Sequence, residues 1–146
     1  MNDSQLISLD LDVCLEHLRH EMVGRIAVIH DEFPLVVPVN YRFVEAAQRN
    51  WVALRTRAGN VIDRASPRVA FEIDGIDDIH RRGWSVLVRG TLLPVDEDAA
   101  DFRGQFDSDT WLGAERDTWL VIEPFSITGR AIEPGTAWPF AADAYL

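Results

Sequence analysis

The sequence predicts a mainly β (α+β) fold: a six-stranded antiparallel barrel, closed or nearly so, with flanking helices. Three observations predict it. Short runs rich in Val, Ile, Trp and Phe recur between residues 26 and 132, separated by polar or Gly/Pro turns, as an antiparallel meander requires. One apolar stripe at helical spacing precedes them. The chain has 146 residues, 47% apolar and 26% charged, which suits a single domain, 1–146, with a core of its own. Closing such a sheet removes exposed strand edges. A barrel this small fills its interior with side chains, so a ligand binds outside it or at a subunit boundary.

The elements follow in order. Residues 1–9 are expected to fray. A helix is predicted over Asp10–Met22, because Leu11, Cys14, Leu15, Leu18 and Met22 share one face. Asp10 is its expected cap and Gly24 its expected end. Cys14 lies on the apolar stripe and reads as a packing residue. His17 and His20 are expected in solvent. Strands are predicted at Ile26–Ile29, Leu35–Val44, Trp51–Arg55, Val69–Ile73, Trp84–Val95 and Trp119–Ile132. Pro38 marks an edge or bulge in the second, Gly90 a bulge in the fifth, and Pro124 a break in the sixth. Residues 74–83 read as a surface loop. Residues 96–113 read as helical or irregular, with Phe102 and Phe106 on one helix face. The tail after Ile132 is rich in Pro, Gly and Ala.

Charge narrows the function. The chain carries 24 acids against 14 bases, a net charge of −10, and every base is an arginine. An acidic chain with no basic stripe is a poor nucleic-acid binder, since phosphate neutralisation drives that affinity. Local arginine clusters therefore suit small anions. Cys14 is the single cysteine, so neither an intrachain disulfide nor a thiolate cluster can form within one chain. The start, MNDSQLISLDLD, lacks the features of a signal peptide. No stretch has the length of a membrane helix. The expected compartment is the cytoplasm, with no membrane partner.

One stretch has the chemistry of an anion site. After the strand at Trp51–Leu54 come Arg55, Thr56 and Arg57, then Ala58-Gly59-Asn60, then a helical turn. Guanidiniums and a hydroxyl at a strand end meet the unpaired N–H groups of a helix start, and Gly59 permits close backbone approach. The same residues also suit a surface turn in which the arginines pair with Asp63 and Glu72. On local chemistry the two readings stand level.

Familiar catalytic signatures are missing. There is no GxGxxG after a strand, no GxxxxGK[ST], no HExxH, and no GxSxG. If the chain is an enzyme, a cofactor carries the reactive group.

The order of the pieces resembles the pyridoxamine 5′-phosphate oxidase-like, FMN-binding split-barrel family. The marks are Met22-Val23-Gly24-Arg25-Ile26-Ala27, Pro34 to Tyr41, Leu54 to Asn60, Val69 to Asp74, Gly83 to Gly90 and Ile127-Thr128-Gly129-Arg130. They span about residues 10–132. The resemblance implies a six-stranded split barrel that forms a homodimer with FMN at the interface. It implies that Val39, Asn40 and Tyr41 lie along the flavin ring. Arg55, Thr56, Arg57, Gly59 and Asn60 would approach the ring edge and phosphate. Trp84 would lie near the dimer boundary, and Arg130 would reach the site from the last strand. The implied activity is hydride exchange with a small organic substrate, with a non-catalytic flavin-binding or sensing module as the alternative. Many relatives place a lysine where this chain has Val61, which keeps the deazaflavin F420 as an alternative cofactor. The carboxy-terminal substrate segment of true pyridoxamine phosphate oxidases is not recognisable, so vitamin B6 oxidation is not expected. A haem relative is a third reading, with His30 and His80 as axial ligands.

Overall fold

The computed structural model describes residues 6–46, 48–56, 62, 66–95 and 118–132. In chain order they form β1 (Leu6–Leu9), α1 (Leu11–His20), β2 (Val23–His30), β3 (Phe33–Ala46), β4 (Arg49–Thr56), β5 (Arg68–Asp77), β6 (Arg82–Pro94) and β7 (Thr118–Ile132). Neighbouring strands run in the order β1-β7-β4-β3-β2-β5-β6, every ladder is antiparallel, and β6 also pairs with β7. That last pairing closes β2 to β7 into the six-stranded split barrel. β1 is a seventh strand, added on the edge of β7.

Alternation explains the core. Ile26 and Val28 of β2, Val52 and Leu54 of β4, Phe71 and Ile73 of β5, and Val86 and Val88 of β6 point inward and are buried. α1 closes one side of the barrel with Cys14 and Leu18, both fully buried. The Cys14 thiol rests over Gly129, where an added Cβ would lie 2.5 Å from its sulfur. It is a packing residue, and burial pushes its pKa up. A smaller cluster of Val44, Ala53 and Val121, with Trp51 and Trp119 against it, packs on the outer side of β4.

Several expectations need correction. Residues 6–9 do not fray, because β7 offers them a free edge at Gly129–Ile132. α1 ends at His20, two residues early. The Met22 carbonyl is taken by the Tyr41 N–H at 3.0 Å, which draws the chain into β2. Gly24 therefore ends no helix. It lies within β2 under the Phe71 ring, where a Cβ would sit 2.3 Å from Cζ. Asp10 holds the N-cap position without a side-chain bond; its carbonyl accepts from the Val13 and Cys14 N–H groups, both at 3.1 Å. The loop at 74–83 is instead a hairpin, since β5 runs to Asp77 and β6 starts at Arg82. Its turn is held by the Asp77 carboxylate, which accepts from the Ile79 and His80 N–H groups. β7 is one strand through Pro124, with a bulge that leaves Phe125 unpaired opposite the Arg89–Gly90 step.

Pro38 does sit on a half-edge. Residues 33–40 of β3 pair with β2 alone, and residues 41–46 pair with β4 alone. A missing N–H costs nothing where no second neighbour needs it. The turn predicted at 58–65, the helical or irregular segment predicted at 96–113 and the tail after Ile132 lie outside the described residues, apart from Ile62, which is buried. Among the described residues no helix is long and apolar enough to cross a membrane.

Candidate functional site

The change of partner in β3 creates a fork. Its ladder with β4 stops at Tyr41 opposite Leu54. β4 continues through Arg55 and Thr56 beside β7, opposite Trp119 and Thr118. Val39 and Asn40 lie on one prong, Arg55 and Thr56 on the other, and Tyr41 at the base. Beyond the base, the β3 edge that faces away from β2 has no strand neighbour among the described residues. Main-chain N–H and C=O groups on such an edge suit a hydrogen-bonding ligand.

Alternation decides what each prong presents. Thr56 follows Val52 and Leu54 inward and is 4% exposed. Arg55 points to the other face, partly buried, with its guanidinium carbon 5.8 Å from the centroid of the Trp119 ring. A guanidinium over an indole face is held in place by cation–π attraction. Val39 packs against the core, and Asn40 is half-buried on the outer face. Tyr41 is a core residue: its hydroxyl donates to the Leu18 carbonyl at 2.7 Å, and its ring meets Phe71 edge-on at 4.8 Å. Burial raises its pKa far above that of a free phenol.

Trp84 and Arg130 lie elsewhere on the protomer: Arg130 is eleven residues beyond Trp119 along β7, and Trp84 pairs with the neighbouring Ala131. The Trp84 ring is stacked on His17, with centroids 3.7 Å apart and planes 12° from parallel. Gly75 faces Trp84 across the hairpin, where a Cβ would meet the indole at 2.4 Å. His17 is thus half-buried, and burial lowers its pKa. Arg130 is exposed between Ser85 and Ser8. Arg57, Gly59 and Asn60 lie outside the described residues.

The sequence did not reveal an ionic cluster on the outer face of β2 and β5. Arg25 Nη1 lies 3.2 Å from Glu72 and 3.1 Å from Asp74. Burial, and then the Asp74 carboxyl beside it, push Glu72 up to about 7, with Arg25 opposing. The spacing of Glu72 and Asp74 by two was readable as one strand face; Arg25 opposite Glu72 depends on register. His30 ends β2 and His80 lies in the β5–β6 turn, at opposite ends of the barrel, each beside a carboxylate, Asp31 at 3.3 Å and Asp77 at 2.7 Å. Within one protomer they cannot ligate one haem.

Known proteins place the chain. The family model described as pyridoxamine 5′-phosphate oxidase matches residues 10–131. An uncharacterized protein of Mycobacterium tuberculosis is 27% identical over 138 residues, covering 92% of this chain and 91% of its own. The FAD-binding protein of Mycobacterium smegmatis is 29% identical, with a TM-score of 0.68, covering 86% of this chain and 97% of that one. An FAD-binding protein of Mesorhizobium loti is 25% identical, with a TM-score of 0.73, covering 90% and 99%. With the family model spanning α1 to β7, the chain belongs to the pyridoxamine 5′-phosphate oxidase family.

Proposed function

We propose that the protein binds a flavin, FMN, at the β3–β4 fork and exchanges hydride between it and a small organic substrate. The observation that carries this is the fork itself, where Arg55 continues β4 past its last pair with β3 and leaves the β3 edge unmatched. A guanidinium suits a phosphate or an electron-rich ring edge, and a main-chain edge suits the polar rim of a flavin ring. A bound flavin supplies hydride transfer at N5. The chain's part is to hold and orient it: Arg55 and the main chain at Thr56 and at Val39 to Tyr41 would form the described half, and Arg57, Gly59 and Asn60 the remainder. We place the protein in the cytoplasm as a homodimer with the cofactor at the interface. Trp84 and Arg130, distant from the fork on one protomer, would then act across the subunit boundary.

A second reading replaces FMN with FAD, favoured by the FAD-binding relatives at 29% and 25% identity. F420 remains the alternative tied to Val61, and a flavin carrier without turnover the alternative to an enzyme. The test is the absorption spectrum of the purified protein, followed by chromatography of the released cofactor. Flavin bands support the proposal, and the released species separates FMN from FAD. Deazaflavin bands redirect it to F420. A colourless protein that quenches neither FMN nor FAD fluorescence on titration overturns it.

A further inference from the structure

β4 and β1 lie end to end along one edge of β7. β4 pairs with residues 118–122 and β1 with residues 129–132. Residues 123–128 between them have no strand neighbour on that edge among the described residues, a gap of about 20 Å at roughly 3.3 Å per residue. The start of β4 is unmatched on the same side, since Arg49, Asn50 and Trp51 pair only with β3. The two strands splay apart there, and a cavity of about 460 Å³ occupies the wedge. That volume is within the range of small-molecule sites. The wedge is distinct from the fork: Trp51 and Arg55 are four residues apart on β4, about 13 Å.

We propose that this wedge is a second ligand site, taking a small planar aromatic anion of the nucleoside monophosphate kind. Three sets of groups lie in or beside it. Aromatic surface comes from Trp51 and from Phe125, the bulge residue, which is 71% exposed because it has no partner on β6. Two cations flank the rings. The Arg49 guanidinium carbon is 5.9 Å from the Trp51 centroid and the Arg89 carbon 5.4 Å from that of Phe125. Amides come from Gln48 and Asn50, which can both donate to and accept from the edge of a base. Arg49 has only a loose 3.5 Å contact with Glu123, and Arg89 a 3.2 Å bond to the Ser126 hydroxyl. The lining holds one arginine and one carboxylate, Arg49 and Glu123, and Arg89 stands just outside it beside Phe125. A base can stack on the exposed ring, and the phosphate would answer the arginines.

The experiment is calorimetric titration of the full chain with AMP, in the presence and absence of FMN. Expected are one AMP per chain, the same affinity with and without FMN, and weaker binding of adenosine and of inorganic phosphate. Phe125→Ala and Arg49→Gln should each weaken AMP tenfold or more while circular dichroism stays unchanged, since both residues are exposed. No binding at millimolar AMP overturns the proposal. So does displacement of AMP by FMN, equal affinity in either variant, or adenosine binding as tightly as AMP. A chain that binds no flavin still answers the question, because the AMP titration is complete without FMN.

Discussion

Tyr41 ties the barrel to its helix: the phenol donates a 2.7 Å hydrogen bond to the carbonyl of Leu18, in the last turn of α1. That carbonyl is one of the four that a helix leaves without an internal partner. Both groups are buried. Tyr41→Phe keeps the ring against Phe71 but strands the acceptor. It should lower unfolding free energy by about 1–3 kcal/mol, read from urea denaturation. Flavin affinity should change little, because the phenol points into the core; a large loss of affinity with stability intact would put the hydroxyl in the site.

Arg55 tests the fork. A charge-assisted hydrogen bond in a partly desolvated site contributes roughly 1.5–3 kcal/mol. Arg55→Ala should therefore weaken FMN about ten- to a hundredfold, measured by fluorescence quenching, with the far-ultraviolet spectrum unchanged. Arg57→Ala should cost less, since β4 ends at Thr56 and Arg55 is the arginine the strand itself positions. Equal losses in the two variants would contradict that ranking.

Glu72 makes stability depend on pH. Its folded pKa, about 7, lies above the ordinary 4.5. Between those values the folded state holds more proton than the unfolded one, so this group's contribution is full below about pH 4.5 and is lost as pH rises towards 7. Glu72 is about one-third exposed, so screening by solvent reduces the effect. Melting temperatures of the wild type should fall more steeply from pH 5 to pH 7 than those of Glu72→Gln. Parallel curves would show that Glu72 does not carry the dependence.

Gly24 tests the packing of β2 on β5. An added methyl would lie 2.3 Å from Phe71 Cζ and 2.9 Å from the Glu72 carbonyl oxygen, and the backbone oxygen cannot step aside. Gly24→Ala should destabilise by about 1–3 kcal/mol, measured by chemical denaturation. An unchanged midpoint would mean that β2 and β5 are less tightly apposed.

Assembly can be weighed directly. Light scattering at micromolar concentration, with flavin present, should give twice the 16.5 kDa chain mass. A monomer mass would count against a cofactor held between subunits.

Much of the barrel was readable because its strands alternate cleanly. Ile26 and Val28, or Phe71 and Ile73, announce an inward face from sequence alone. β1 was not readable: Leu-Ile-Ser-Leu has no alternation over enough residues, and its reason to be a strand is an edge some 120 residues away. The 74–83 hairpin was hidden because its acids and arginines read as loop, whereas Asp77 and Arg82 stand opposite each other at the ladder's end. Arg55 and Thr56 fall on opposite faces of β4, Thr56 buried and Arg55 half-buried, as the period of two along a strand requires. The stack of His17 on Trp84 joins residues 67 positions apart through tertiary packing, which no local pattern encodes.

The double allegiance of β7 has a consequence for synthesis on the ribosome. β1, the first strand described, and β4 and β6 all complete their pairing on β7, the last strand described. Until residues 118–132 emerge, three strands wait with an open edge, and the closing contacts span almost the whole chain. Such long-range closure is slow, and waiting edges invite pairing with other chains. Translation that stalls before Thr118 should therefore yield nascent chains that chaperones hold, while release of a few dozen further residues lets the barrel shut in one step.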